Sequence, residues 1–94
     1  MKLKVKRYNV VLAPDKKVYA CHVIHDSEDF KDVKGEVITS RNDPSLLGLK
    51  NLSSNTWTAT LPNGTAKPYS QDQVIKLGRG LKINFGNGNE GEII

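Results

Sequence analysis

Apolar and polar residues alternate with a period of two near the start of the chain, which is typical of a strand with one buried face. Leu3 and Val5 alternate with lysines, and the apolar character continues through residues 10–13 until Pro14 ends it. A second run, residues 17–24, is rich in valine, tyrosine and isoleucine. We therefore predict that these two runs pair as a hairpin around the intervening turn.

The remaining apolar runs are also short and are separated by turn residues. The strongest turn signal is Pro62-Asn63-Gly64, and Pro68 restricts the strand that follows it to the edge of a sheet. Apolar residues at helical spacing do not persist for three turns, so the sequence predicts no helix. The predicted later strands are 35–39, 45–52 (or an irregular connection there), 56–61, 65–69, 73–77 and 81–85, with a glycine-rich loop over 86–91.

This succession of short strands predicts one all-β domain over residues 1–94, a small antiparallel β-sandwich. A small barrel of the OB or SH3-like type is the alternative. A composition of 37% hydrophobic and 26% charged residues is that of a folded, soluble protein. With one cysteine, no visible secretory signal and no apolar run long enough to span a bilayer, we expect a cytoplasmic protein without membrane contact.

One segment, Cys21-His22-Val-Ile-His25-Asp26, has the residue types of half a zinc site. On the predicted strand, Cys21 and His22 would point to opposite faces. Cys21 and His25 would share a face but stand about 13 Å apart, too far for one tetrahedral zinc ion. The sequence therefore predicts no metal site, with Cys21 as a small core residue.

Catalytic and cofactor motifs are also missing from the sequence. Ser53, Ser54 and Cys21 lack a surrounding nucleophile-elbow motif. Gly78-Arg79-Gly80 resembles the start of a dinucleotide-binding fingerprint, but Ile83 occupies the position of the third glycine. We predict a non-enzymatic protein without cofactors, in which Gly78–Gly80 forms a tight turn that exposes Arg79.

Short hydrogen-bonding residues and cations concentrate in the segment from Arg41 to Asn55. Loops at the end of a rigid β scaffold are where binding residues most often lie. Serine, asparagine and cationic side chains can together hold a phosphate or a peptide backbone. We predict a peptide- or phosphate-binding clamp consisting of Arg41, Lys50, Ser53 and Asn55, with Arg79 as a further member.

The C-terminal half, roughly residues 37–91, resembles a forkhead-associated (FHA) domain. The resemblance is carried by Asn63-Gly64-Thr65, by Val74-Ile-Lys-Leu77 and by Gly80-Leu-Lys-Ile83-Asn-Phe85-Gly86. FHA domains are β-sandwiches that read phosphothreonine peptides through loops at one end. The resemblance implies that Ile83 and Phe85 are core residues of a late strand. It also implies that Arg41 corresponds to the arginine of the family's Gly-Arg pair, and Ser53 to the serine of its Ser-x-x-His motif.

Two departures affect this correspondence: Ser40 replaces the glycine of Gly-Arg, and Thr56 replaces the histidine of Ser-x-x-His. The resemblance therefore implies the sandwich fold together with a degenerate phosphothreonine site.

The function we expect is that of a protein–protein interaction module, an FHA-like signalling adaptor that recognises a peptide or acidic group through loops at one end. Addition of a partner strand along residues 2–6 is a second physical route. The alternative is binding of single-stranded nucleic acid. The net charge of +4, concentrated in residues 1–17, and four aromatic residues that could stack on bases favour it. These are Tyr8, Tyr19, Trp57 and Tyr69.

Overall fold

The structure is a computed structural model that describes residues 1–6, 8–24, 31–43, 45–86 and 88–94. Within these residues, ten short strands account for most of the regular structure, and a single turn of helix follows the third. The elements are β1 (Lys2–Lys4), β2 (Asn9–Val11), β3 (Lys17–Tyr19), α1 (Ala20–Val23), β4 (Val33–Thr39), β5 (Leu47–Asn51), β6 (Trp57–Thr60), β7 (Ala66–Tyr69), β8 (Val74–Lys76), β9 (Lys82–Asn84) and β10 (Glu90–Ile93).

The strands form two antiparallel sheets. The first sheet has six strands in the order β2-β1-β10-β9-β6-β7, and the second has four in the order β3-β4-β5-β8. All ladder pairs are antiparallel. The prediction of an all-β fold is confirmed, and the division into two facing sheets is that of a sandwich.

The core lies between the sheets and receives alternate residues from both. Trp57 is 1% exposed and meets Phe85 edge to face, with ring centroids 4.9 Å apart. Phe85 and Ile83 are both buried, as predicted for a late core strand. A Cβ atom at Gly35 would lie 3.0 Å from the Trp57 ring, so the glycine on the second sheet makes room for the indole of the first. Other core residues include Leu3, Val18, Val37, Leu49, Ile75 and Ile93.

The glycine-rich C-terminal segment differs from the prediction. From Glu90 onward it is β10, which lies between β1 and β9 as a central strand of the first sheet. Gly91 faces the core, where a Cβ atom would approach Leu3 Cδ1 to 2.7 Å and Val5 Cγ1 to 3.0 Å. The glycine that suggested a loop is thus needed for close packing within a strand.

The N-terminal pairing also differs from the prediction. β2 pairs with β1, and Val5 N–H donates to the Tyr8 carbonyl beside this ladder, whereas β3 pairs with β4 in the other sheet. The predicted hairpin between the runs 10–13 and 17–24 is therefore wrong, because the turn at 14–16 carries the chain from one sheet to the other. β1 has partners on both sides, so residues 2–4 present no free edge for strand addition.

The predicted strand over 17–24 ends at Tyr19, where the backbone turns into α1. Ala20, Cys21 and Val23 are all buried, which a helical turn allows and the alternation of a strand does not. Tyr19 N–H donates to His22 Nδ1 at 3.1 Å, and Ile24 N–H donates to the Ala20 carbonyl at 2.8 Å. Across the residues that the structure describes, no helix has the length and apolar character needed to cross a membrane.

His22 is half-buried against two tyrosine rings, with centroid distances of 5.2 Å to Tyr8 and 5.9 Å to Tyr19. Burial lowers the pKa of His22 from its ordinary value. Because its Nδ1 accepts the Tyr19 N–H, the neutral imidazole is the form that fits this site.

The unfolded chain therefore takes up the His22 proton at higher pH than the folded protein does, and stability is lost as the pH falls from 7 towards the folded-state pKa. We expect the urea midpoint to drop more between pH 7.5 and pH 5.5 in the wild type than in His22→Gln, which cannot titrate there. Equal drops in the two proteins would contradict this assignment.

Candidate functional site

The antiparallel order divides the connections between the two ends of the sandwich. One end, which we call the Arg41 end, holds the connections 12–16, 61–65 and 77–81 and the described residues of 40–46. The opposite end, called the Asn51 end, holds the connections 52–56 and 70–73. It also holds the described residues of 5–8, of 85–89 and of the segment between β3 and β4.

The predicted clamp residues are distributed over both ends. Arg41 and Arg79 lie at the Arg41 end, whereas Ser53 and Asn55 lie at the Asn51 end. β5 separates the two groups, and its four residue steps span about 13 Å. The structure therefore does not bring the five residues together as one clamp, and Arg41 and Ser53 cannot hold the same phosphate group.

The Asn51 end is organised by one buried side chain. Asn51 is 0% exposed, and its Nδ2 donates to the carbonyls of Asn55 at 2.8 Å and Tyr69 at 3.0 Å. Its Oδ1 accepts from both the N–H of Ser53 at 2.9 Å and the Oγ of Ser53 at 2.7 Å. Both donors of the amide group and its oxygen are therefore satisfied within the protein.

The Asn51 backbone extends this connection to the next loop. Its N–H donates to the Gln73 carbonyl at 2.9 Å, and its carbonyl accepts from Asp72 N–H at 2.6 Å. In the same turn, the Gln73 side-chain oxygen accepts from Ser70 N–H at 2.7 Å. One residue thus fixes the loop 52–56 and the turn 70–73 relative to each other.

Ser53 has a structural role in this arrangement. It is 3% exposed, and besides its bonds to Asn51 its Oγ accepts from Asn55 N–H at 3.3 Å. The side chains that remain available to a ligand are those of the exposed residues Ser54, Asn55 and Thr56. The predicted position of Asn55 in a binding loop agrees with this exposure, whereas Ser53 positions the loop from within.

Lys50 precedes Asn51 and lies on the opposite face of β5, the outer face of the second sheet. It stands between Glu36 of β4 and Val74 of β8 in the ladder. Within the described part of the chain, the recorded ion pairs join Lys17 to Glu36 and Lys34 to Asp32, so Lys50 takes no part in them. Lys50 places a positive charge at the margin of the Asn51 end.

The Arg41 end holds both arginines of the predicted clamp. Arg41 is exposed in a loop in which the Asp43 carboxylate accepts hydrogen bonds from Ser45 Oγ at 2.6 Å and from Ser45 N–H at 3.0 Å. These bonds lower the pKa of the Asp43 carboxyl. Arg79 is exposed at the tip of a turn closed by the Leu81 N–H to Gly78 carbonyl bond. Gly80 has a φ of +88°, which supports the predicted tight glycine turn.

The sequence did not single out Asn51 as the organising residue. A signal is present, because asparagine followed two residues later by serine is typical of a local turn closed by the side chain. The bonds to Asn55 and Tyr69 depend on tertiary placement, since Tyr69 is 18 residues away.

The remaining candidates from the sequence are a metal site and the aromatic residues that could stack on bases. The described residues contain no group of three or more His, Cys, Asp or Glu side chains that could hold a metal ion, and His25 and Asp26 lie outside them. The strand argument against zinc does not apply to Cys21 and His22, since both lie in α1. Trp57 is buried in the core and is unavailable for stacking on bases.

Comparisons of the chain with protein-family models, curated protein sequences and solved structures give no match.

Proposed function

We propose that this chain is a non-catalytic, FHA-like protein-interaction module, and that its peptide ligand binds across the exposed residues 54–56 of the loop at the Asn51 end. The observation that carries the proposal is the buried Asn51 side chain, which fixes that loop from within. A loop held in one conformation before binding loses less conformational entropy when a ligand docks.

The chemistry of the loop supports a ligand rich in hydrogen-bonding groups. Ser54, Asn55 and Thr56 are consecutive exposed side chains with hydroxyl or amide groups, suited to a peptide backbone or a phosphate. Lys50 is the nearest cation in sequence and supplies attraction for an acidic group. Arg41 and Arg79 are not part of this proposed site, because they lie at the other end.

A titration of the ¹⁵N-labelled protein with a phosphothreonine peptide tests this proposal. We expect amide shifts concentrated at residues 54–56 and 71–73. The double variant Ser54→Ala/Asn55→Ala should weaken binding by about tenfold, since it removes roughly 1.4 kcal/mol of hydrogen bonding.

The matched control is Arg41→Ala, which removes a polar side chain from the opposite end and should leave the affinity unchanged. An unphosphorylated peptide of the same sequence shows whether the phosphate contributes. Shifts confined to Arg41 and Arg79, or no shifts at millimolar peptide, would rule out the Asn51 end as the binding surface.

A further inference from the structure

β8 is an edge strand of the second sheet, and its backbone is open on one side. Among the residues that the structure describes, it pairs with β5 alone, in a register that places Leu49 opposite Ile75. Leu77 N–H donates to the Leu47 carbonyl, and Asn51 N–H donates to the Gln73 carbonyl. Every second residue from Gln73 to Leu77 is therefore one that bonds to β5. Ile75 therefore bonds to β5, while the N–H and carbonyl groups of Val74 and Lys76 point away from it.

Two of the other three sheet edges carry features that hinder pairing with a further strand. β7 contains Pro68, which has no N–H to donate. β3 has an irregular register between Val18 and Tyr19 and passes directly into α1. β8 has neither a proline nor an irregularity, and its protection against pairing is the charge of Lys76.

Apolar grooves lie on both faces of β8. On the outer face, a groove of about 280 Å³ runs over Gly48 between Ile38, Leu46 and Val74. A Cβ atom at Gly48 would lie 2.5 Å from Val74 Cγ1, so the absence of a side chain there creates the groove floor. Val74 is 40% exposed and Leu46 is 43% exposed.

The second groove, of about 290 Å³, lies on the inner side of β8, at the open margin between the two sheets. Leu61 and Tyr69 of the first sheet's margin line it together with Ile75 and Leu81. A strand added beside β8 would direct alternate side chains into this groove and over the outer face.

The charge around β8 is positive. Lys76 lines both grooves, Lys67 lines the inner one over the Tyr69 ring, and Lys50 stands opposite Val74 on β5. The recorded ion pairs of the described residues involve none of these three lysines. Asp72, in the turn before β8, is the acidic residue nearest in sequence.

We propose that β8 is a second interaction surface, which binds an extended partner peptide in which acidic and apolar residues alternate. The peptide pairs with the free backbone groups of Val74 and Lys76 and so becomes a fifth strand of the second sheet. Its apolar side chains enter the groove lined by Leu61, Tyr69, Ile75 and Leu81. Its acidic side chains lie on the outer face beside Lys76, where the positive charge selects them.

The probe for this surface is the capped peptide acetyl-Glu-Val-Glu-Val-Glu-amide, compared with acetyl-Lys-Val-Lys-Val-Lys-amide. In the free protein the Val74 and Lys76 amides should exchange with solvent faster than those of Ile75 and Leu77. The acidic peptide should slow exchange at Val74 and Lys76 by at least about tenfold, and the basic peptide should not.

Two variants separate backbone pairing from charge. Val74→Pro removes a donor that faces the open edge, so it should abolish binding, whereas Val74→Thr retains the N–H and should bind within about twofold of wild type. Lys76→Glu keeps every backbone group and reverses the charge, and it should also abolish binding. Lys82→Glu makes the same charge change on the first sheet and is the matched control, and thermal melts establish that each variant is folded.

Equal binding of the two peptides, undiminished binding by Val74→Pro, or protection located at β2 instead of β8 would overturn the proposal. Concentration-dependent dimerisation without peptide, protecting the same two amides, would identify a second copy of the chain as the occupant and would also overturn it. The phosphothreonine titration reports on residues 54–56 and 71–73, whereas the exchange experiment reports on Val74 and Lys76, so the two binding proposals fail independently.

Discussion

Asn51→Leu should destabilise the domain by about 3 kcal/mol or more, since it removes the four hydrogen bonds of a fully buried amide group. The carbonyls of Asn55 and Tyr69 lose the bond from Asn51 Nδ2, and the Ser53 N–H loses its acceptor. Leucine matches the size of asparagine but satisfies none of these groups. For a domain whose total stability is of the order of 5–15 kcal/mol, this loss is a large fraction. Urea unfolding followed by tryptophan fluorescence measures it.

Asn51→Asp is the informative companion variant. The carboxylate retains an acceptor for Ser53 but places a second acceptor opposite two carbonyl oxygens, so the charged form is disfavoured. The pKa of Asp at this site should therefore be raised, and the stability lost at neutral pH should be partly regained as the pH falls and the group is protonated. A loss below about 1 kcal/mol in Asn51→Leu would show that the amide bonds do not hold the loop.

Trp57→Ala should cost about 3–5 kcal/mol, the range for truncating a buried large aromatic residue. The indole is 1% exposed, contacts Phe85 edge to face and packs against Gly35 on the facing sheet. Its removal leaves a cavity that both sheets border, and glycine offers no side chain to fill it. Thermal and urea unfolding measure the loss, which should lower the melting temperature by well over 10 °C.

Trp57→Phe is the matched control, because it retains an aromatic ring for Phe85 and removes less volume. We expect it to cost less than half as much as the alanine variant. Equal costs for the two variants would show that contact with Phe85 contributes little and that the volume near Gly35 dominates. A negligible cost for both would contradict the placement of Trp57 in the core.

Local sequence signals predicted those elements whose side chains alternate strictly and whose ends carry turn residues. Trp57 and Ala59 alternate with threonines, and Asn63-Gly64 follows, so β6 and its hairpin to β7 could be predicted. Gly64 has a φ of +91°, the conformation that this turn needs from glycine. Pro68 correctly indicated an edge, because a missing N–H is a property of the residue itself.

Elements that depend on contacts distant in sequence were predicted poorly. Gly91 suggests a loop locally, but the side chains of Leu3 and Val5, more than 80 residues earlier, determine that a strand passes there. The run 17–24 has strand-forming residues, yet tertiary burial of Ala20, Cys21 and Val23 favours a helical turn. The sequence likewise does not show that β5 separates Arg41 from Ser53. It therefore could not predict that the clamp residues lie at opposite ends of the sandwich.

The sequence by itself thus determined an all-β domain with one core, since period-two alternation and frequent turns specify strands whatever their partners. The tertiary structure decided which strands pair and therefore which loops share an end. It also decided the role of Asn51, whose amide stabilises the fold only because the carbonyls of Asn55 and Tyr69 lie beside it. The physical reason is that alternation is a property of neighbouring residues, whereas strand order and the satisfaction of buried polar groups depend on contacts across the whole chain.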